Sequence, residues 1–199
     1  MKNLMRSICL LLAILLTGCA TKSVPQTLYD LGPLPTAAAV TATLPPLALA
    51  DPVGSAFLGN PMMFYRLAYA NDQQPKAYAE SRWSMPPAEL LGQRFKARLG
   101  QAGSGVISAG DGAVNVPLVR LEADDFSQNF DSPARSTARV TMRVAVFNNR
   151  VLLAQKNFSQ QRASASADAA GGARALADAS DALITDVIGW LGTLALPKR

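Results

Sequence analysis

The sequence contains no histidine and only two cysteines, Cys9 and Cys19. Without histidine there is no Ser-His-Asp or Cys-His nucleophile system, and the commonest ligand of zinc and haem is missing as well. An enzyme built from this chain would have to use carboxylates, lysine or serine alone. Charged and aromatic residues are also sparse, at 17% and 7%, whereas 49% of the residues are hydrophobic, which is typical of a folded globular chain.

Residues 1–18 have the pattern of a secretory signal. Lys2 and Arg6 form a basic beginning, and a run of nine apolar residues follows over 8–16. A helix needs about 20 apolar residues to span a bilayer, so this run predicts a cleaved signal and not a permanent span. The later apolar stretch 182–196 is also too short and contains Asp186, which favours a core helix.

The signal ends in Leu16-Thr17-Gly18-Cys19, which resembles the lipobox of bacterial lipoproteins. The resemblance implies cleavage between Gly18 and Cys19, a diacylglycerol group on the Cys19 sulfur and an acyl chain on the new amino group. Several acyl chains exceed what stable membrane attachment requires. Cys9 would leave with the signal and Cys19 would be blocked, so the mature chain would have neither a free thiol nor a disulfide.

The mature chain is expected to be a single domain on a short tether. Its 181 residues carry a net charge of +3, which excludes the strongly basic surface of a nucleic-acid-binding protein. We predict a signal over 1–18, a lipidated N-terminus and tether over 19–27, and one domain over 28–196. Ala20 and Thr21 follow the lipidated cysteine in place of the aspartate typical of inner-membrane retention. The lipoprotein resemblance therefore implies anchoring in the outer membrane, facing the periplasm.

Residue patterns predict both strands and helices. Residues 62–69 and 76–83 are β-rich runs separated by a turn-forming stretch, which indicates a hairpin. A helix is predicted from Pro87, with Ser84 as a candidate cap and Arg94, Lys96 and Arg98 as a solvated flank. Its apolar stripe consists of Ala88, Leu91, Phe95, Leu99 and Ala102. Short strands are predicted over 27–31, 47–50 and 105–109, a longer strand over 116–126, and a surface loop over 33–46.

The C-terminal half predicts a second hairpin and a long helix. Residues 137–147 and 150–158 flank Asn148-Asn149, which suits a two-residue turn and would pair Val146 with Val151. Residues 168–196 are predicted to be helical, although the glycines at 171 and 172 weaken the first turns. The predicted fold is of the α/β (α+β) class, a single compact domain whose mixed, largely antiparallel sheet packs against two main helices.

One carboxylate cluster is a candidate for catalysis: Glu122, Asp124, Asp125 and Asp131. Neighbouring residues on a strand point to opposite faces, so Asp124 and Asp125 do not converge easily. Glu122 and Asp124 can share a face, but no calcium-loop pattern accompanies them. No serine is followed by lysine at the third position, and no phosphate-binding glycine loop with its lysine is present. We therefore expect no enzymatic activity, no metal site and no cofactor beyond the acyl groups on Cys19.

Three stretches in order resemble one family, the ABC-type transport auxiliary lipoprotein components, which include paraquat-inducible intermembrane-transport lipoproteins. They are Tyr29-Asp30-Leu31-Gly32, then Met63-Phe64-Tyr65-Arg66 with Ser81-Arg82-Trp83-Ser84-Met85-Pro86-Pro87, and finally Leu121 to Phe130 before the second hairpin. The loose, alanine-rich stretch 33–59 departs from this pattern. The resemblance implies a periplasmic accessory component of a system that moves lipids or other hydrophobic molecules between membranes. It also implies partners: an ABC permease and ATPase complex, an MCE-domain protein and outer-membrane lipid.

The sequence leaves two other classes of function open. One is a structural or assembly lipoprotein of the envelope, and the other is a lipid- or glycan-modifying hydrolase. The oligomeric state also stays open, and a homo-oligomer is one alternative for the transport component. Tyr65, Arg66, Arg82 and Trp83 are candidate partner-binding residues, because arginine and aromatic residues are enriched at interfaces. The competing interpretation places Trp83 in the core and Arg82 in solvent. An alternating strand would likewise place one of Tyr65 and Arg66 inside and the other outside.

Overall fold

The computed structural model describes residues 25–36, 44–112 and 114–197. The predicted lipobox and Cys19 lie outside the described residues, as does part of the predicted loop over 33–46. The strands are β1 Thr27–Tyr29, β2 Leu47–Leu49, β3 Val53–Gly54, β4 Met62–Leu67, β5 Asn71–Trp83, β6 Val106–Ser108, β7 Leu118–Ser132, β8 Arg135–Asn148 and β9 Val151–Ala163. The helices are α1 Pro87–Gln101 and α2 Ala169–Thr193, and a 3-10 turn covers Ala109–Asp111.

Strand β7 is the centre of the sheet, and its two edges are used differently. β8 pairs with one edge antiparallel, from Leu118 opposite Phe147 to Ser132 opposite Arg135, and β9 pairs antiparallel with β8. Three short strands, β2, β3 and β4, share the other edge in parallel. β6 lies beyond β2, and β5 and then β1 lie beyond β4. The sheet is mixed and its longest pairings are antiparallel, which confirms the predicted α+β architecture.

The strand directions place two features at opposite ends of the sheet. β1 is parallel to β5, β5 is antiparallel to β4, and β4 is parallel to β7. The N-terminal end of β1 therefore points toward the end of the sheet where β7 finishes. The turn between β8 and β9 lies at the other end, because Phe147 pairs with the first residue of β7, Leu118. The predicted tether and the β8–β9 turn are thus directed away from each other.

Both helices pack on one face of the sheet and share a single core. On α2 the buried side chains recur every three or four residues, as an amphipathic helix requires. They include Leu176, Ala179, Leu183, Ile184, Val187, Ile188 and Leu191. Trp83 of β5 meets Phe126 of β7 edge to face in this core, with 5.1 Å between ring centroids. No helix of the described residues covers the opposite face, which we call the helix-free face.

The second hairpin exists, but its predicted turn and register were wrong. The turn residues are Asn149 and Arg150, both with positive φ angles of 47° and 72°. Asn148 therefore pairs with Val151, and Val146 pairs with Ala154 after a register shift. Moving the turn by one residue changes every pair along β9. As a result, residues 151–153 are exposed and contribute nothing to the core.

Two local predictions also need adjustment. Ser84 is not the cap of α1, because Pro86 occupies that position without a side-chain hydrogen bond and the Ser84 N–H donates to the Tyr29 carbonyl at 2.7 Å. β5 begins at Asn71, so the first hairpin has a shorter turn than 70–75. Proline has no N–H for a strand hydrogen bond. Pro75 is tolerated in β5 because β4 pairs with one edge of the strand there, and β1 pairs with the other edge only over residues 81–83 among the described residues.

Candidate functional site

The four predicted partner-binding residues do not form one surface. Trp83 is only 1% exposed and packs on Phe126, so its side chain lies in the core. Arg82, the preceding residue of β5, points to the helix-free face, where it pairs with Leu28 of β1 and Met62 of β4. The alternation of a β-strand separates the two side chains. The structure therefore supports a core position for Trp83 and leaves Arg82 as the surface residue.

Tyr65 and Arg66 lie further along β4. The Tyr65 ring is 4.6 Å from Tyr78 and 5.6 Å from Phe130, measured between centroids, and forms an aromatic cluster with them. Arg66 Nη1 donates to the carbonyl oxygen of Asp72 at 2.9 Å and thereby closes the first hairpin. Both side chains have a local structural role in this geometry.

Arg82 is the only cation in an apolar patch on the helix-free face. We define the Arg82 patch as Leu28, Phe57, Met62, Phe64 and Arg82. Leu28 is 65% and Phe57 51% exposed, and the Phe57 and Phe64 rings meet edge to face at 5.3 Å. Met62 and Phe64 are half-buried, since the intervening Met63 points into the core. Arg82 Nε is buried without a hydrogen-bond partner among the described residues.

A second apolar surface occupies the end of the β8–β9 hairpin. We define the hairpin tip as Phe147, Val151, Leu152 and Leu153. The last three are 64%, 50% and 43% exposed. The guanidinium carbon of Arg120 lies 5.0 Å from the centroid of the Phe147 ring, a cation–π contact beside the tip. Isolated exposed hydrophobic side chains are common, but several adjoining ones indicate an interaction surface.

A buried ion pair joins the two helices, in contrast to the predicted solvated flank on α1. Arg94 donates through Nε and Nη2 to the two carboxylate oxygens of Asp181, at 2.9 and 2.6 Å. Arg94 also donates to the carbonyl oxygens of Gly32 and Pro33, which follow β1. Arg98 Nε lies 4.0 Å from the same carboxylate. Only Lys96 of the predicted flank is exposed.

A buried amide holds the start of α2 against the sheet. Gln128 of β7 is fully buried, and its Nε2 donates to Ser136 Oγ at 2.7 Å and to the Asp168 carbonyl at 3.1 Å. Its Oε1 accepts from the Tyr78 hydroxyl at 2.8 Å. Burial raises the pKa of Tyr78 well above its ordinary value, and the negative charge of nearby Asp168 adds to the effect. This cluster is fully hydrogen-bonded and structural.

The carboxylate cluster on β7 does not converge on a common point. Glu122 accepts from Arg143 Nη1 at 3.0 Å, and Asp124 lies 3.9 Å from Arg143, so these two share a face as expected. Asp125 instead accepts from the Ser127 hydroxyl at 2.7 Å. Within the described residues, no group of three or more acidic or cysteine side chains is placed to hold a metal ion.

A shallow cleft of about 460 Å³ lies between α1 and the ends of β2 and β6. Asp51, Glu89 and Lys96 line it together with Ser108. Lys96 Nζ donates to Ser108 Oγ at 3.3 Å, so the lysine already has a partner. The cleft therefore offers charges of both signs on a shallow surface. Neither helix of the described chain is long and apolar enough to cross a bilayer.

Fold and surfaces together define an α+β domain with two apolar patches, one beside the start of β1 and one at the opposite end of the sheet. A family model described as the ABC-type transport auxiliary lipoprotein component matches residues 29–188, and the chain belongs to that family. This confirms the family inferred from the Tyr29–Gly32 and Met63–Pro87 motifs. The chain is accordingly a lipoprotein-type auxiliary component associated with ABC transport.

Solved structures show the same fold at low sequence identity. A Xanthomonas campestris protein of the DUF330 family has a TM-score of 0.65 and 16% identity, with 85% of this chain and 87% of that chain covered. An uncharacterised protein has a TM-score of 0.66 and 13% identity, with 84% and 99% covered. No curated protein sequence matches the chain significantly.

In the sequence, the run Met62-Met63-Phe64 favours a core strand over contact with a lipid or a partner. Apart from this run and Arg82, neither surface patch was predicted. The Arg82 patch combines residues of β1, of β4, of β5 and of the segment that follows β3. The hairpin tip consists of residues around the turn whose position was predicted wrongly. Each is an isolated apolar residue or a short apolar run, a signal that is also typical of the core. Leu152 and Leu153 did indicate a surface in the sequence, because two consecutive strand residues cannot both face the core.

Proposed function

We propose that this chain is a non-enzymatic periplasmic lipoprotein, anchored in the outer membrane through Cys19, that serves as the accessory component of an intermembrane transport system. Its partners in this proposal are an ABC permease and ATPase complex and an MCE-domain protein, and the cargo is lipid or another hydrophobic molecule. The observation that carries the proposal is the family match over residues 29–188, which begins ten residues after the lipobox cysteine.

The topology supports a role as a connector. A lipid on Cys19 would hold the end of the sheet toward which β1 points, within the reach of the tether. Residues 19–26 span at most about 28 Å when fully extended. The hairpin tip lies at the other end of the sheet and would face the periplasm. We therefore assign the hairpin tip as the surface that meets the periplasmic partner, with Arg120 beside it favouring an acidic or aromatic contact.

Anchoring is tested by replacing Cys19 in the full chain. Cys19→Ala, exported behind a signal that is cleaved without lipidation, is expected to move the protein from the membrane fraction to the soluble periplasmic fraction, because both acyl attachments depend on this residue. Cys9→Ala is the matched control, since Cys9 lies in the predicted signal and its loss should leave the anchored product unchanged. Retention of Cys19→Ala in the membrane after salt washing would contradict the anchoring.

The transport role is tested by isolating the native protein with its bound partners and identifying them by mass spectrometry. The proposal predicts an MCE-domain protein and permease subunits. Recovery of a β-barrel protein or a cell-wall component in their place would support the alternative, a structural or assembly lipoprotein of the envelope. Fractionation and partner identification are independent, so the anchor and the transport role can fail separately.

A further inference from the structure

We propose that the Arg82 patch rests on the phospholipid surface of the membrane that holds the anchor, with the Arg82 guanidinium binding a lipid phosphate. This inference rests on the proposed lipidation of Cys19 and adds a second, non-covalent membrane contact to it. The domain would then have a fixed orientation on the bilayer instead of moving freely on its tether.

The apolar part of the patch is suited to the interfacial region of a bilayer. Leu28 and Phe57 are the most exposed of its side chains, and Phe64 supports Phe57 from below through the edge-to-face contact at 5.3 Å. Leu28 and Phe64 come from separate strands and Phe57 from the segment after β3, so they present a broad surface and not a groove. A broad, shallow apolar surface fits a membrane better than it fits a small molecule.

Arg82 supplies the polar contact that the patch otherwise lacks. Its Nε is buried without a hydrogen-bond partner, and within the described chain the guanidinium makes no ion pair. Nε itself is covered, so an external acceptor would be bound by the terminal Nη groups of the same guanidinium. The planar guanidinium matches phosphate oxygens, which can accept two parallel hydrogen bonds.

The position of the patch identifies the membrane as its occupant. Leu28 is the second residue of β1, nine residues after Cys19, so the tether keeps the patch within about 32 Å of the acylated sulfur. The other exposed apolar surface, the hairpin tip, lies at the far end of the sheet. Of these two surfaces, the Arg82 patch is therefore the nearer to the point where the tether enters the domain, so the bilayer is at high effective concentration beside it.

The test uses the full lipidated protein in vesicles of phosphatidylethanolamine and phosphatidylglycerol. Phe57→Cys places a unique thiol in the patch, and Leu152→Cys is the matched control at the hairpin tip, with similar exposure of the replaced side chain. Each thiol is labelled with a fluorophore, and quenching by brominated lipid is measured. We expect several-fold stronger quenching at position 57 than at position 152.

Arg82→Gln in the Phe57→Cys background examines the phosphate contact. Removing one surface cation is expected to lower the docked-to-undocked ratio of the patch by about fivefold, whereas Arg82→Lys should retain most of it. Circular dichroism of both variants checks the fold. If Arg82→Gln fails to fold, the comparison of positions 57 and 152 still decides whether the patch meets the bilayer.

The outcomes separate this proposal from the anchoring. Failure to sediment with vesicles would contradict lipidation itself. Normal sedimentation with equal quenching at positions 57 and 152 would overturn the patch while leaving the anchor intact. A label at position 57 that is already shielded without vesicles would also overturn it, since a second copy of the chain or another protein would then cover the patch.

Discussion

At the scale of single residues, Asp181 compensates two buried arginines. Arg94 and Arg98 are each 7% exposed, and the Asp181 carboxylate is the acidic group that pairs with them among the described residues. Arg94 also donates to the backbone carbonyls of Gly32 and Pro33, so the Arg94–Asp181 pair connects the segment after β1 to both helices. A charge that loses its partner inside a protein is far more costly than the intact pair is stabilising.

Asp181→Ala is expected to lower the free energy of unfolding by about 3–5 kcal/mol, because it leaves Arg94 and Arg98 buried without a counter-charge. Urea denaturation followed by circular dichroism measures the change. Asp178→Ala, one turn earlier on the exposed side of α2, is the control and should change stability by less than about 0.5 kcal/mol. Equal losses in the two variants would show that Asp181 has no special partner.

The sequence pattern did not reveal this ion pair, and the reason is physical. Arg94 and Arg98 are four residues apart and lie beside the apolar stripe of α1, so they match an ordinary solvated flank. Their carboxylate partner is 87 residues away from Arg94 along the chain. No local periodicity reports a pairing between two helices that are separated by a whole β-meander.

A second residue-scale prediction concerns pH. The pKa of Asp168 is lowered, chiefly by the Gly171 N–H that donates to Oδ1 at 2.7 Å and then by the Ser166 hydroxyl at 2.8 Å. A carboxyl group whose folded-state pKa is depressed stabilises the fold above its ordinary pKa of 3.8, and this contribution disappears as the pH falls through the folded-state value.

Asp168→Asn keeps a capping side chain but cannot titrate. We expect the wild-type chain to be more stable than this variant at pH 7, with a difference that shrinks as the pH falls below 3.8. Thermal unfolding of both proteins between pH 7 and pH 2.5 measures the difference, and acid effects shared by all other carboxyl groups cancel. A difference that is independent of pH would contradict the role of the charged form.

At the scale of elements, the glycines of α2 have different environments. A Cβ atom at Gly172 would collide with the Gln128 side chain, whereas one at Gly189 would meet nothing within 4 Å. Gly172 thus permits close approach of the helix to the buried amide. The structure assigns this glycine a packing role in a helical first turn that Asp168 caps.

Gly172→Ala is therefore expected to destabilise the protein by about 1–3 kcal/mol through overpacking, despite the higher helix propensity of alanine. Gly189→Ala, on the exposed side of the same helix, should stabilise it by about 0.5–1 kcal/mol. Both values come from urea denaturation under identical conditions. The same sign in both variants would mean that helix propensity, and not contact with Gln128, controls position 172.

In the turn between β8 and β9, a substitution by glycine is expected to stabilise the protein. Arg150 has a φ angle of 72°, a conformation in which a side chain is unfavourable and glycine is not. Arg150→Gly would create the Asn-Gly sequence preferred in two-residue hairpin turns, and we expect a gain of about 0.5–1 kcal/mol. Asn148→Gly, at the end of β8, should instead destabilise. A melting temperature that falls in Arg150→Gly would contradict the assigned turn.

The elements themselves were largely predictable from sequence, but their pairing was not. Both helices and both hairpins follow from periodicities of 3.6 and 2 residues, which depend only on nearby positions. The three parallel strands on one edge of β7 depend on contacts between distant segments, and β3 has only two residues. In the second hairpin, Asn148 and Asn149 are equally suited to a turn, so composition alone could not fix the register that exposes residues 151–153.

At the scale of the whole molecule, the sheet separates an anchor-side surface from a partner-side surface. The Arg82 patch adjoins β1, which leads to the tether, and the hairpin tip lies beyond the first residue of β7. A connector between a membrane and a periplasmic assembly needs this separation, because one surface must stay free while the other is engaged. Changes at one end should therefore affect one interaction and leave the other unchanged.

Replacement of the hairpin tip tests this separation directly. Leu152→Ser with Leu153→Ser is expected to weaken capture of the periplasmic partner by at least about tenfold, because it removes two exposed apolar side chains from the proposed contact. Membrane anchoring and the melting temperature should stay unchanged, since neither side chain belongs to the core. Tyr69→Ser is the matched control: Tyr69 is 49% exposed in the β4–β5 turn, on the anchor side. Equal partner loss in the control, or none in the double variant, would place the contact elsewhere.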